Sequence, residues 1–258
     1  MSAPEAESET TFSAIADAGV LQTFIEAQRT IVNEAKLHLD EDGLHVTAVD
    51  PANVAMVDAS VDAAAFEAYD ATGGLIGVDL SRLEDVLGFA NAGDLVHLEL
   101  NAETRKLEIE VDGLSYTLAL IDPQSVRQEP DIPELDLSAR VVFEGAELTR
   151  GIDAVDLVTD HIRFEADPDS KEFAISGEGD TDDVSVTLDR EDLIDAQVDD
   201  GAASLFSLDY FKDLKSAIPG DAEVKMRLGT EFPVKTSFTT EEGTVDVLYM
   251  VAPRITSE

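Results

Sequence analysis

Cysteine and tryptophan are both absent from this chain of 258 residues, histidine occurs four times and lysine only seven times. Without thiols there is no disulfide framework, no thiolate metal site and no cysteine nucleophile. His38, His45, His97 and His161 include no pair at metal-ligand spacing, which excludes zinc chemistry. No run approaches about 18 consecutive apolar residues. Met1 to Thr11 is acidic and carries neither a basic end nor an apolar stretch, so no membrane span and no secretory signal is expected. The prediction is a soluble, cytoplasmic protein without a membrane partner, a metal or a cofactor.

What the chain has in excess is carboxylate. Asp and Glu number 56 against 17 Lys and Arg, a formal charge of −39, with Asp ahead of Glu by 31 to 25. Apolar residues still make up 44%, enough to bury a core, and the length suits one large or two small domains. A polyanion ordinarily repels a phosphate backbone. In molar salt, however, the Debye length falls to about 3 Å and distant charge is screened out. Two readings follow: a surface solvated in molar salt, or an acidic interaction protein of an ordinary cytoplasm. Net charge therefore does not exclude DNA.

Apolar periodicity predicts alternating strands and helices. Asp17 precedes an i, i+4 face of Val20, Leu21, Phe24, Ile25, Gln28, Ile31 and Val32, the mark of a capped first helix. Leu44, Val46 and Ala48, then Val54, Met56, Ala59 and Val61, alternate as strands. Asp79 or Ser81 caps a second helix carrying Leu80, Leu83, Val86, Leu87 and Ala90, which Asn91 to Asp94 ends. Three strands follow, at Val96 to Leu100, Leu107 to Val111 and Tyr116 to Leu120, with His97, Glu99, Glu108, Glu110 and Asp112 facing water.

Pro123, Pro130 and Pro133 then mark an extended linker, because proline blocks both helix and central strand. Beyond it the order recurs. A strand at Val141 to Phe143 leads to a helix with Leu148, Ile152, Val155 and Val158, and strands follow at Ile162, Phe173 and Val184. A last helix carries Leu208, Phe211, Leu214 and Ile218, before strands at Val224, Val234 and Val245. The spacings Phe12 to Phe143, Leu80 to Leu208, Gly93 to Gly220 and Pro123 to Pro253 fall between 127 and 131 residues, as a duplication requires. The predicted class is α+β, with antiparallel sheets carrying helices on one face, because the connections are too short for parallel crossovers. The predicted organisation is an acidic mobile tail at 1–11, a first domain at 12–121, a linker at 122–138 and a second domain at 139–258.

No catalytic residue can be assigned. With 56 carboxylates, pairs at acid–base distance arise by chance. Gly73-Gly74-Leu75-Ile76-Gly77 lacks the Lys-Ser or Lys-Thr of a phosphate loop and is expected to be a turn. There is no serine elbow and no histidine triad.

Four segments carry a family resemblance: Gly43 to Val57 (GLHVTAVDPANVAMV), Val78 to Leu83 (VDLSRL), Pro130 to Leu135 (PDIPEL) and Tyr249 to Ile255 (YMVAPRI). Together they resemble the proliferating cell nuclear antigen family of sliding clamps, in its archaeal form. The resemblance implies a homotrimeric ring of two tandem pseudo-repeated domains per chain, with helices lining a central hole and sheets outside. Such a ring encircles double-stranded DNA and tethers DNA polymerase, clamp loader, flap endonuclease and DNA ligase as a processivity factor, without catalysis. On the expected channel helices lie Arg29, Arg82, Arg150, Lys212 and Lys215. Asp85, Asp153, Asp156, Asp209 and Asp213 share those helices, where family members place more Lys and Arg. Gly88 and Gly151, each costing about 1 kcal/mol inside a helix, mark a close approach to DNA or tight packing on the sheet.

The resemblance further implies a pocket under the linker that takes a short apolar-aromatic partner motif. Its matching positions are Val49, Asn53, Val54, Met56, Ile132, Pro133, Leu137, Pro233, Met250, Ala252 and Pro253. Head-to-tail ring closure would use edge strands near Gly113 to Leu120 and Asp183 to Leu188, with Tyr116, Leu118, Val184 and Val186 as contacts. The rival readings are a checkpoint-type paralogous clamp subunit, which assembles from different chains, and an acidic salt-adapted enzyme using its carboxylates.

Overall fold

The computed structural model describes residues 11–91, 93–240 and 243–254. The expected mobile tail, apart from Thr11, and Ile255 lie outside the described residues. Alternating buried and exposed side chains produce the strands, and caps start the helices. In the first half the order is β1 (Phe12–Asp17), α1 (Ala18–Arg29), β2 (Glu34–Asp40), β3 (Gly43–Val49), β4 (Ala55–Asp62), β5 (Ala68–Ala71), β6 (Leu75–Asp79), α2 (Leu80–Leu87), β7 (Leu95–Asn101), β8 (Lys106–Val111) and β9 (Leu114–Ala119). In the second it is β10 (Ala139–Glu144), α3 (Gly145–Val155), β11 (His161–Ala166), β12 (Phe173–Glu178), β13 (Asp183–Leu188), β14 (Asp195–Val198), β15 (Ala202–Ser207), α4 (Leu208–Leu214), β16 (Glu223–Leu228), β17 (Val234–Thr240) and β18 (Val245–Val251).

Asp17 caps α1 by accepting the Gly19 amide at 2.7 Å, and Asp79 caps α2 by accepting that of Arg82 at 3.1 Å. α1 then buries Val20, Leu21, Phe24, Ile25 and Gln28. α2 buries Leu80, Leu83, Val86 and Leu87, the apolar stripe its periodicity announced.

Three sheets result, ordered β5-β1-β7-β8-β9, then β14-β10-β16-β17-β18-β4-β3-β2-β6, then β13-β12-β11-β15, with antiparallel pairing throughout. Exchanging the halves maps the first sheet onto β14-β10-β16-β17-β18 and the third onto β4-β3-β2-β6. The central nine-stranded sheet is therefore one half's five strands joined to the other half's four. The joint is β18 on β4, in register from Val245 opposite Val61 to Val251 opposite Ala55. One buried and one part-buried polar contact tie the halves together beside it. The Tyr249 hydroxyl donates to the Ala27 carbonyl of α1 at 2.8 Å, and the Tyr210 hydroxyl of α4 donates to Asp50 at 3.1 Å.

The element match corrects one landmark. β1 corresponds to β10, so Phe12 pairs with Ala139 at an offset of 127, not with Phe143. Six strands escaped the periodicity: β1, β2, β5, β6, β14 and β15. Leu75-Ile76-Gly77 is not a turn but the start of β6, which pairs with β2. Gly77 packs where a Cβ would sit 2.6 Å from the Ile121 carbonyl, so the linker's entry needs glycine there. Among the described residues no helix is long and apolar enough to cross a membrane.

Candidate channel helices, linker groove and open edges

α3 packs on α4, the turn after α4 meets α1, and α1 packs on α2, while α1, α2 and α3 also pack against sheet strands. All five cations expected there lie on these helices or in the turn after α4, and each is tied to a carboxylate. Arg29 meets Glu84 at 3.0 Å, Arg82 meets Asp79 at 3.2 Å, Arg150 meets Glu147 at 2.6 Å, Lys212 meets Asp156 at 2.8 Å, and Lys215 is bonded to Asp153. The Asp156 hydrogen bond and charge hold the Lys212 ammonium above its ordinary pKa. Burial and the neighbouring Asp209 push the Asp213 carboxyl up, and burial with Glu84 does the same to Glu26. With Glu26, Asp85, Asp209 and Asp213 present beyond the five paired carboxylates, these helices carry net negative charge rather than a basic face. Gly151 faces the sheet, where a Cβ would come 2.5 Å from Ile175, which assigns it to packing. Gly88 closes α2 instead of lying inside it.

The linker crosses the outer face of the central sheet. It enters beside β6 through the Gly77–Ile121 bridge. It is fixed to β2 by Glu129 on His38 at 2.5 Å and to β17 by Lys235, whose ammonium donates to the Pro133 carbonyl at 2.7 Å. Arg127 donates to Asn53 at 2.7 Å, pinning the β3–β4 turn. Asp50 builds that turn by accepting the amides of Ala52, Val54 and Ala55 at 3.0, 2.7 and 2.8 Å. Burial raises the Asp50 pKa, but these three donors and Tyr210 outweigh it and hold the carboxyl below its usual range. Asn53 sits at the turn's left-handed position with φ 57°.

Beneath the linker, cross-strand register aligns Val49, Met56, Met250 and Lys235 in one row on β3, β4, β18 and β17. The expected pocket residues Val49, Met56 and Met250 thus converge. Val54 and Ala252 meet through a backbone hydrogen bond of 2.8 Å at the row's upper end, with Pro253 following. Ile132 and Pro133 lie on the linker beside Lys235, and Leu137, buried, packs near Gly229 in the β16–β17 turn that carries Pro233. Asp50, Arg127 and the exposed Phe232 of the same turn were not singled out from sequence. The acceptor role of Asp50 depends on a turn that only the fold reveals.

Strands β9 and β13 each end a sheet, and no described strand pairs with their outer edges. Tyr116, Val184 and Val186 are half-buried on them, whereas Leu118 is fully buried in its own core and offers a neighbour only its backbone. Two exposed residues missed from sequence follow the helices that pack on these strands: Phe89 after α2, 70% exposed, and Leu157 after α3, 83% exposed. Their half-exchange counterparts, Ala217 and Thr30, lie at the internal joint, where the turn after α4 meets α1. Among the described residues no cluster of His, Asp and Glu could hold a metal ion.

Residues 12–115 match the family described as proliferating cell nuclear antigen, N-terminal domain. The chain is 58% identical to the DNA polymerase sliding clamp of Haloarcula marismortui, over 96% of this chain and all of that one. It is 57% identical to the sliding clamp of Natronomonas pharaonis, with the same coverage. Among solved structures, the A. fulgidus PCNA bound to the C-terminal region of FEN-1 superposes with a TM-score of 0.90 at 36% identity, covering 96% of this chain and all of that one.

Proposed function

The chain belongs to the proliferating cell nuclear antigen family of DNA polymerase sliding clamps, and on that premise we propose that three copies close head to tail into a ring around duplex DNA. The observation that carries this reading is the pair of open edges. β9 and β13 are the half-exchange equivalents of β18 and β4, which already join within the chain. A second copy docking β13 against β9 would repeat that joint, cover Phe89 and Leu157, and leave equivalent edges free at each end, so the contact propagates until rotation closes it. The domains are 12–121 and 139–258, with 122–138 as the connector, and the helices of both line the hole.

Because Arg29, Arg82, Arg150, Lys212 and Lys215 are each neutralised by a carboxylate, few phosphate contacts are available and enclosure does most of the holding. The ring is non-catalytic and acts on the DNA of the cytoplasm. Polymerase, clamp loader, flap endonuclease and ligase dock short apolar-aromatic motifs on the Val49–Met56–Met250 row under Ile132. The FEN-1 segment bound to the 36%-identical relative supports this for the endonuclease.

The test loads the chain, purified alone, onto circular and linearised plasmid in molar salt. Retention on the circle and loss from the linear form is expected. Equal retention on both, or a requirement for a second, different clamp chain, rejects the reading.

A further inference from the structure

Nine of the 17 cations have no carboxylate within ion-pair distance among the described residues, despite 56 carboxylates in the chain. Three of these nine are neighbours. Lys225 and Arg227 on β16 and Lys235 on β17 project from the outer face of the central sheet, beside Arg140 on β10, which is bonded to Asp195. Cross-strand register places Arg140 opposite Arg227 and Arg227 opposite Lys235. Lys235 is in turn opposite Met250, and Met250 opposite Met56. The cationic row and the apolar row are therefore one line across the sheet.

The cationic end is concave. Arg140, Lys225 and Arg227 line a groove of about 520 Å³ together with Gln197, Asp199 and Leu137. Asp199 in the groove and Asp195 on Arg140 leave the cations there in excess over carboxylates. Burial and the Arg227 charge push the Lys235 ammonium below its ordinary pKa, against a weaker opposing pull from Glu134. Asp58, Asp221, Glu223 and Asp246 line the adjoining hollow that Lys225 shares, so the cationic strip is bordered by carboxylates on that side.

We propose that this strip on β10, β16 and β17 binds an acidic polypeptide segment that flanks the apolar-aromatic anchor of a partner protein. The proposal rests on the reading of the Val49–Met56–Met250 row as the anchor site. Charge complementarity selects the occupant: unpaired guanidinium and ammonium groups favour carboxylates, in charge-assisted hydrogen bonds. Met56 and Arg227 are three strands apart, about 14 Å, which an extended chain spans in about four to five residues. Acidic residues within that distance of the anchor reach Arg227 and Lys225. Both rows lie within one chain, so binding does not depend on ring assembly.

The experiment measures, by fluorescence anisotropy in about 1 M KCl, the affinity of synthetic peptides carrying one apolar and two aromatic anchor residues. The flank is either neutral or a run of aspartates, placed on either side in separate peptides. On the native chain an aspartate flank on one side should tighten binding about three- to tenfold, as expected of two or three partly exposed ion pairs. Lys225→Gln with Arg227→Gln should abolish that gain while leaving the neutral peptide unchanged. Arg227→Glu should instead favour a lysine-flanked peptide, a reversal that simple misfolding does not produce. Met56→Ala with Ile132→Ala should lose every peptide, and an unchanged affinity there rejects the anchor site and the inference with it. Normal binding of the neutral peptide with no gain from either aspartate flank overturns the inference alone. A short DNA duplex that displaces the aspartate flank as effectively as free peptide, with its own binding lost in the Lys225/Arg227 variant, also overturns it in favour of nucleic acid.

Discussion

Single residues at the β3–β4 turn hold together features that lie far apart in the chain. Asp50 ties three amides of its own turn to Tyr210 of the other half. Its replacement leaves the buried Ala55 amide and the part-buried Val54 amide and Tyr210 hydroxyl without their acceptor. Asp50→Ala is expected to cost about 2–3 kcal/mol of unfolding free energy, because each unsatisfied buried donor forfeits its desolvation penalty. The pH dependence has a definite sign. The Asp50 pKa is depressed in the fold, so its contribution is fully present above the unfolded value near 3.9 and is lost as pH falls through the lower folded value. Urea unfolding of the native chain and Asp50→Ala should show a gap at neutral pH that narrows below about pH 4. A gap independent of pH would place the effect in packing instead.

At the scale of elements, the helices read differently in the fold than along the chain. Gly151 lies inside α3 and Gly88 closes α2. At Gly151 a Cβ would meet Ile175 at 2.5–3.0 Å, whereas at Gly88 it would meet only carbonyl oxygens at 3.4 Å. Alanine at 151 therefore gains about 1 kcal/mol of helix propensity and loses more to overpacking, a net cost of about 1–2 kcal/mol. Alanine at 88 should be neutral. Thermal melts of the two variants decide this, and equal stability would mean that Ile175 shifts freely. Helix caps at Asp17 and Asp79 and the strand alternation from Leu95 to Ala119 were legible in the sequence, because both are encoded by residues within a few positions of one another. β5 and β14, each four residues long, were not, since a strand that short completes barely two periods.

For the whole molecule, the proposed ring places like charges at its seams. Asp180, Asp182 and Asp183 stand at or just before the start of the open strand β13. Screening at about 1 M salt confines their repulsion to about 3 Å, but at about 50 mM it extends beyond 10 Å. Light scattering should give three times the 27.7 kDa chain mass in molar KCl and a lower mass in dilute buffer. Leu157→Glu should lower the mass in both, by putting a charge where the half-exchange counterpart sits in the internal joint. A trimer that persists in dilute buffer would exclude screening as the condition for assembly.

Periodicity, caps, proline spacing and near-constant offsets between landmarks were enough to establish from the sequence two similar α+β halves and an extended connector, because each of these signals is local or repeats locally. Register between distant strands has no such local code. Only the tertiary structure decided that β18 continues onto β4, leaving β9 and β13 open, and that Val49, Met56, Met250, Lys235, Arg227 and Arg140 form one line. It also decided which cations are ion-paired: those on the helices meet carboxylates one turn or one helix away, while Lys225, Arg227 and Lys235 on β16 and β17 have none within ion-pair distance.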